Sequence, residues 1–421
     1  MRHPKILTTL KEYDRQTFLA DLIAGISVAM VALPLSLAIA IASGAGPEKG
    51  LITAIVGGLL ISLFGGSRVQ IGGPTGAFIV VVFSVIAEHG YDGLVLATFM
   101  AGIILLVAGY FRAGRLIALV PEAVVQGFTI GIGVIIATSQ IKDFLGLTID
   151  ALPADFLEKV SALWAARDGV NVSALAVALL TLVLIVLLRR LAPRLPGLIL
   201  AVAVGSFVAL LMQAPVDTIF LRFGALPDTL PYPVIPQISF TRLSELLPSA
   251  IVIAFLAGIE SLLSAMVADR MIGSKHRPNA ELIAQGIANF GSALFGGLPA
   301  TGAIARTAAN ISAGGKTPVA GIVHALTVLL VMMLAGPLVG LLAMPSLAAL
   351  LIIAAWNMTE PHKWKAHLNA PASHRVLLLI TLLLTVLVDL TVAIGTGVAI
   401  GLALKLRERN QTASDWSDPE R

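Results

Sequence analysis

"LFGGLPATGAIART", Leu294–Thr307, is the stretch whose reading decides the fold. Tiny residues and a proline lead to a single arginine, Arg306, and apolar runs lie on both sides of it. A spanning helix needs roughly 20 apolar residues, and the flanking runs are long enough. A Gly/Pro-broken segment between two such runs reads as a half-helix that begins inside the bilayer. Irregular backbone is tolerated at that depth only where it is buried among other helices or lines an aqueous cavity.

The composition agrees with a membrane setting. Of 421 residues, 57% are hydrophobic and 12% charged, far from the usage of soluble domains. The net charge of +4 raises the possibility of a nucleic-acid partner, but the placement of the basic residues argues against it. With the N-terminus inside, most Lys and Arg fall in inner loops or tails: Lys5, Lys11 and Arg15, then Arg112, the Arg189/Arg190 pair, Arg270 to Arg277, and Lys363 and Lys365. That asymmetry is a topology signal, so both termini are expected on the cytoplasmic side. No small-residue cleavage site follows the first apolar segment, so a cleaved signal peptide is not expected. The absence of cysteine excludes disulfides, thiol catalysis and Cys-ligated metal.

Apolar length and breakers place segments near 19–42, 51–65, 75–88, 93–111, 121–141, 171–190, 196–213, 246–269, 279–295, 302–313, 317–341, 344–357, 373–389 and 391–407. The fold class expected is an all-α polytopic membrane protein of fourteen transmembrane segments. The third and tenth are too short to cross ~30 Å at ~1.5 Å per residue and read as half-helices. They share a local pattern: "LFGG" at Leu63–Gly66 precedes "GGPTGAF" at Gly72–Phe78, and "LFGG" at Leu294–Gly297 precedes "LPATGA" at Leu298–Ala303. The match suggests two inverted seven-segment repeats, 19–213 and 246–407, joined by an outer linker at 214–245. Polar tails at 1–18 and 408–421 flank them. Paired, interrupted spans in corresponding halves are the best sequence pointer to a transporter's binding site.

Helix N-termini carry unsatisfied N–H groups and about half a positive charge each. Two of them converging, from Thr75, Gly76, Ala77 and Phe78 on one side and from Thr301, Gly302, Ala303, Ile304 and Ala305 on the other, would form an anion pocket. Arg306 near the bilayer midplane costs about 3 kcal/mol or more, so it reads either as the positive potential behind that pocket or as the partner of a buried carboxylate or carbonyl. Glu260 sits in the middle of the eighth segment, where an ionised carboxylate is similarly expensive, and Ser264 follows one turn on. The readings are a proton-coupling group or a permanently paired glutamate. His324, alone on an apolar helix, reads as a packed or lipid-edge side chain rather than a ligand. Glu122, Glu281 and Asp389 read as helix-end residues near an interface, with no chemistry assigned. "GGKT" at Gly314–Thr317 is not a phosphate loop, because the motif's first glycine would fall on Asn310. No hydrolase or dinucleotide motif is present, so neither an enzyme nor a cofactor or metal site is expected.

"GGPTGAF", "GIESLLSAMVADRMIGSKHRPNAELIAQGIAN" (Gly258–Asn289), "ATGAIARTAANISAGGKTPV" (Ala300–Val319), "QIKDFLGL" (Gln140–Leu147) and "IIAAWNM" (Ile352–Met358) together resemble the sulfate-permease (SulP) family of anion transporters. Within it, the chain is most similar to the bacterial branch that takes up C4-dicarboxylates. The resemblance implies a uracil-permease-like arrangement of core and gate domains, an elevator motion, a homodimer and a bacterial inner-membrane location. It also implies a substrate pocket at Thr75–Phe78 and Gly302–Ala305, to which Thr301 adds a hydroxyl, with Arg306 as the basic residue behind it, Ser36 of "LPLSLA" as a first-span neighbour, and Glu260 with Ser264 at the coupling position. Family members usually continue into a C-terminal STAS domain, which is expected to be absent here, since the chain stops shortly after Leu406.

The partners implied are a small anion, a proton as coupling ion and the lipid bilayer. The family's sodium-driven bicarbonate members carry aspartate and threonine where this chain has Glu260 and Ser264, and a threonine where it has Ile304. Losing a hydroxyl ligand disfavours sodium, and proton-coupled C4-dicarboxylate symport is the first reading. Sulfate or bicarbonate transport, or an uncoupled anion channel, are the alternatives. A nucleobase permease would be expected to show an acidic residue at Arg306.

Overall fold

The computed structural model describes residues 3–114, 121–149, 152–192, 195–388 and 390–407. Asp389 and the tail 408–421 lie outside the described residues. Among the described residues, seven helical stretches are long and apolar enough to cross a membrane: Arg15–Ala42, Pro47–Phe64, Gly76–Tyr110, Glu122–Leu145, Val172–Leu191, Phe240–Ile272 and Val319–Gly340. Further helices run Gly197–Leu211, Pro278–Leu294, Ile304–Ser312, Met344–Met358, Ala372–Leu387 and Leu390–Arg407.

The helices pack in two groups. In the first, Pro278–Leu294 lies along Ile79–Tyr110 and against Gly58–Phe64, Phe240–Ile272 packs on Ile79–Tyr110, and Arg15–Ala42 packs on Val319–Gly340. In the second, Glu122–Leu145 packs on Met344–Met358 and Ala372–Leu387, and Val172–Leu191 packs on Gly197–Leu211. In lipid there is little hydrophobic drive between helices, so close approach through small residues replaces it. Gly102 and Gly286 illustrate this. A methyl on Gly102 would come within 2.7 Å of the Phe290 nitrogen, and one on Gly286 within 2.7 Å of the Leu106 nitrogen.

Sequence and structure differ at several places. The stretch Gly76–Tyr110 is continuous apart from a break at Gly90, whose φ of 69° is open to glycine. There the third and fourth expected segments meet. The eighth helix starts at Phe240, ahead of the expected 246, because Ser239 caps it through a bond from the Arg242 nitrogen. The outer linker is therefore shorter, and it holds a further helical turn, Ile219–Phe223, tied to the chain before Met344 by a bridge between Thr218 and Ala343. The connection between the expected segments 121–141 and 171–190 contains an amphipathic helix, Phe156–Ala165, capped by Asp155.

Candidate functional site

Two glycine-containing strands of two residues each, β1 (Gly72–Gly73) and β2 (Thr301–Gly302), pair antiparallel, with Gly72 opposite Gly302 and Gly73 opposite Thr301. The Ala303 N–H adds a bond to the Ile71 carbonyl at 2.9 Å. From this clasp the chain turns directly into helix on both sides, at Gly76 and at Ile304. Thus "GGPTGAF" and "LPATGAIAR" each supply an extended stretch and a helix start, and the helix starts are held together by backbone hydrogen bonds.

Several buried polar side chains fix this clasp. Asn289 donates to the Ala300 carbonyl at 2.8 Å and accepts from the Ala300 nitrogen at 2.9 Å. Thr53 accepts from the Leu298 nitrogen at 2.6 Å, and Thr301 donates to the Ala257 carbonyl at 2.9 Å. Thr307 accepts from the Ile71 nitrogen and shares a 3.1 Å bond with Ser264. The backbone polar groups of an irregular segment are thereby satisfied inside the bundle.

A cavity of about 430 Å³ opens in front of the two helix starts. Thr75, Gly76, Ala77, Gly302, Ala303, Ile304, Ala305, Arg306 and Glu260 lie on its wall. Ser36, Phe78, Thr301 and Ser264 do not. Each of these four is buried behind the wall, where Ser36 accepts from Arg306 and Ser264 bonds Thr307 rather than facing the cavity with Glu260. The first-turn N–H groups of Ile304–Ser312 have no intrahelical acceptor, and the Ile304 side chain, 43% exposed, contributes no oxygen to the cavity.

Arg306 is 1% exposed, the largest fully buried side chain of the described residues. Its Nη2 donates to Ser36 Oγ at 3.1 Å and to the Pro74 carbonyl at 3.0 Å, while Nε and Nη1 have no protein acceptor. Nη1 lies against Gly73, where a Cβ would approach it to 2.3 Å, so the glycine there leaves room for the guanidinium. Among the described residues no carboxylate partners Arg306, and the carbonyl-partner reading holds only in part, because Pro74 takes one donor while the buried Nε and Nη1 have no acceptor. Glu260 is half-buried and accepts the Thr75 hydroxyl at 2.6 Å. The two opposite charges therefore sit on the same cavity wall without an ion pair between them.

At one end the cavity wall carries Glu122, Gln126, Glu360, Lys363 and His367. Gln126 donates to Glu122 at 2.6 Å, and Lys363 bonds Glu360 at 2.9 Å.

Glu281 departs from its sequence reading as a helix-end residue without chemistry. It does stand in the first turn of Pro278–Leu294, but it is fully buried and accepts from the Gly66 nitrogen, the Ser261 hydroxyl and the Gln285 amide. Gln70 joins through Ser261 at 2.7 Å. Asp21 is equally buried and accepts from the Lys316 and Thr317 nitrogens, the Thr317 hydroxyl and Tyr13. This placement adds a buried carboxylate acceptor next to "GGKT". His324 is fully buried, as read, and neither ring nitrogen has a hydrogen-bond partner. Among the described residues no group of three or more His, Asp or Glu could hold a metal ion.

Residues 18–381 match the sequence profile of the Sulfate permease family. The chain belongs to that family. YvdB of Bacillus subtilis (strain 168), a protein named for sulfate transport, is 45% identical over 351 residues, covering 83% of this chain and 66% of that protein. The bicarbonate transporter BicA of Picosynechococcus sp. is 32% identical over 341 residues, covering 78% of this chain and 60% of that protein. The chain thus spans about two thirds or less of the length of these relatives. The solved transmembrane domain of a cyanobacterial BicA superposes with a TM-score of 0.81 at 29% identity, over 91% of this chain and 99% of that one. SLC26A9 shares the fold, with a TM-score of 0.85 at 19% identity. A multi-pass membrane protein of an anion-transporter family is the result, and its transporter relatives agree with the absence of enzyme motifs. The family match ends at residue 381 and includes no STAS domain.

Proposed function

We propose that this sulfate-permease family member is a proton-coupled secondary transporter of small anions, with C4-dicarboxylates such as succinate and fumarate as first substrates. The observation that carries the reading is the pair of helix starts at Gly76 and Ile304, clasped by β1 and β2, with Arg306 behind them and Glu260 beside them on one cavity. Converging N–H groups and a buried guanidinium favour an anion without demanding one shape. Protonation of Glu260 would remove one negative charge from the loaded site, so anion and proton would cross together. Ile304, in place of a hydroxyl, supports proton over sodium, because sodium needs several hard oxygen ligands.

In this reading the chain crosses the membrane fourteen times in two inverted repeats, 19–213 and 246–407, with both termini in the cytoplasm of a bacterial inner membrane. The first helix group is the core, and it moves as an elevator against the second, the gate, in a homodimer. The cavity end at Lys363 then faces inward. Sulfate or bicarbonate transport is a second reading, favoured by the names of the relatives.

Uptake of labelled succinate, fumarate, sulfate and bicarbonate into proteoliposomes, with and without an imposed inward proton gradient, tests both readings. Saturable, gradient-stimulated uptake and counterflow of a dicarboxylate are expected. Gradient-insensitive flux without counterflow would establish a channel instead.

A further inference from the structure

A second cavity, of about 590 Å³, lies on the far side of the half-helix that follows Thr75. Its wall includes Ile79, which also lines the first cavity, together with Phe83, Lys142, Asp143 and Lys159. Ile79 therefore forms an apolar partition shared by the two spaces. In the proposed topology the second cavity opens on the outer side, since the helix Phe156–Ala165, in the connection after Glu122–Leu145, contributes to its wall.

Most charged groups around this cavity are already engaged. Asp143 and Asp217 hold Arg222, each at 2.8 Å. Lys142 donates to the Ile149 carbonyl. Asp155 caps its own helix through the Leu157 and Glu158 nitrogens, and Glu88 accepts from Ser84. Lys159 differs. It is 4% exposed, it stands on the inner face of an otherwise surface-lying helix, and its contact is the face of the Phe83 ring, with Nζ 5.6 Å from the centroid. No carboxylate or carbonyl accepts from it in the described structure. Burial pushes its ammonium below the ordinary lysine range. A desolvated ammonium held over an aromatic face in a roomy cavity, attracted by Asp155 of its own helix but without a hydrogen-bond acceptor, is suited to an anionic oxygen.

We infer that the outer cavity is a second anion site, in which Lys159 receives a small carboxylate- or sulfate-bearing anion before it passes the Ile79 partition to the clasp. The inference rests on the reading of the chain as an anion carrier and assigns the entry side of its path. Lys159 is a recruiting residue. Its charge raises the local concentration of anion and so acts on capture rather than on the crossing step.

Pyridoxal 5′-phosphate, an anionic and membrane-impermeant aldehyde, tests the site directly in the reconstituted full chain. Its aldehyde condenses with a neutral amine with loss of water, and borohydride then reduces the imine to a stable secondary amine that peptide mass spectrometry locates. Lys159 is expected to be labelled from outside ahead of Lys142, and succinate or sulfate is expected to protect it. Protection by chloride alone, labelling that no anion slows, or no labelling of Lys159 would each overturn the inference. In transport, Lys159→Gln is expected to raise KM roughly tenfold with maximal rate unchanged, and Lys159→Arg to restore most of it. A fall in maximal rate at constant KM would instead make Lys159 a latch on Phe83. Because labelling needs no transport, a protected Lys159 in a chain that moves no dicarboxylate would separate failure of the transport reading from failure of this site.

Discussion

The Thr75 hydroxyl donates to Glu260 Oε2 at 2.6 Å, linking the turn before one half-helix to a carboxylate 185 residues further along. The bond places the candidate proton acceptor one side chain away from the helix start that would receive the anion. Glutamine in place of glutamate keeps an oxygen to accept the Thr75 hydroxyl but takes no proton. Glu260→Gln is therefore expected to retain anion binding, measured by thermal shift, and to lose acid-stimulated uptake in proteoliposomes. Full gradient-driven uptake by this variant would end the coupling role. Thr75→Val should cost ~1 kcal/mol of that local bond and shift the pH dependence without abolishing it.

Arg306 divides its guanidinium between a structural task and an open one. Nη2 is held by Ser36 and the Pro74 carbonyl, and Nη1 and Nε have no protein acceptor. Arg306→Met removes the charge behind the helix starts while filling similar space. A charged hydrogen bond is worth about 1.5–3 kcal/mol, so anion affinity should fall by roughly ten- to a hundredfold. Arg306→Lys should recover only part of this, because a single ammonium cannot reproduce the planar fork that Ser36 and the Pro74 carbonyl hold in place. Equilibrium binding on purified protein measures both, and unchanged affinity in Arg306→Met would assign the residue to packing alone.

The clasp predicts a specific coupling between Gly302 and Gln70. A methyl on Gly302 would lie 1.5 Å from Gln70 Nε2, and Gln70 is itself held by Ser261 at 2.7 Å. Gly302→Ala should therefore lower stability by about 1–3 kcal/mol, as overpacking does. Shortening the obstructing side chain should relieve that strain, so Gly302→Ala with Gln70→Ala should be less destabilising than the sum of the single changes. Additive losses in melting temperature would mean that the two positions are not in contact.

What was legible in the sequence follows from where the information lies. The clasp was readable because both of its halves are local: "GGPTGAF" and "LPATGA" each combine an apolar setting with Gly and Pro, and chemistry at a half-helix start needs just those residues. Arg306 and Glu260 were readable as charges in stretches that exclude charge. The roles of Ser36, Thr301 and Ser264 were less so, because a small hydroxyl on an apolar helix serves equally as a lining group or as an internal bond, and only the tertiary arrangement directs each one behind the wall. Glu281, Asp21 and Lys159 were missed as site-builders for a related reason. Each stands near a helix end, where a charge ordinarily meets water or headgroups, and the partners that bury Glu281 and Asp21 come from more than 200 residues away, at Gly66 and Thr317.

Glu281 and Glu260 offer a decisive contrast, since both are carboxylates of the same helix group, the first fully buried and the second half-buried on the cavity wall. Glu281 accepts from three donors: Oε1 takes the Ser261 hydroxyl and the Gln285 amide, and Oε2 takes the Gly66 nitrogen. An amide in its place must set its own NH2 against at least one of those donors. The lost charge-assisted bond and the donor facing a donor should together cost about 2–3 kcal/mol, seen as a lower melting temperature in detergent. Since Glu281 does not line the cavity, the protein that remains folded in Glu281→Gln should keep the wild-type pH profile of uptake. Glu260→Gln should show the reverse, a nearly unchanged melting temperature with the pH response gone. If Glu281→Gln instead loses its pH response at full stability, the proton path runs through the Gly66–Ser261–Gln285 network and the role given to Glu260 fails.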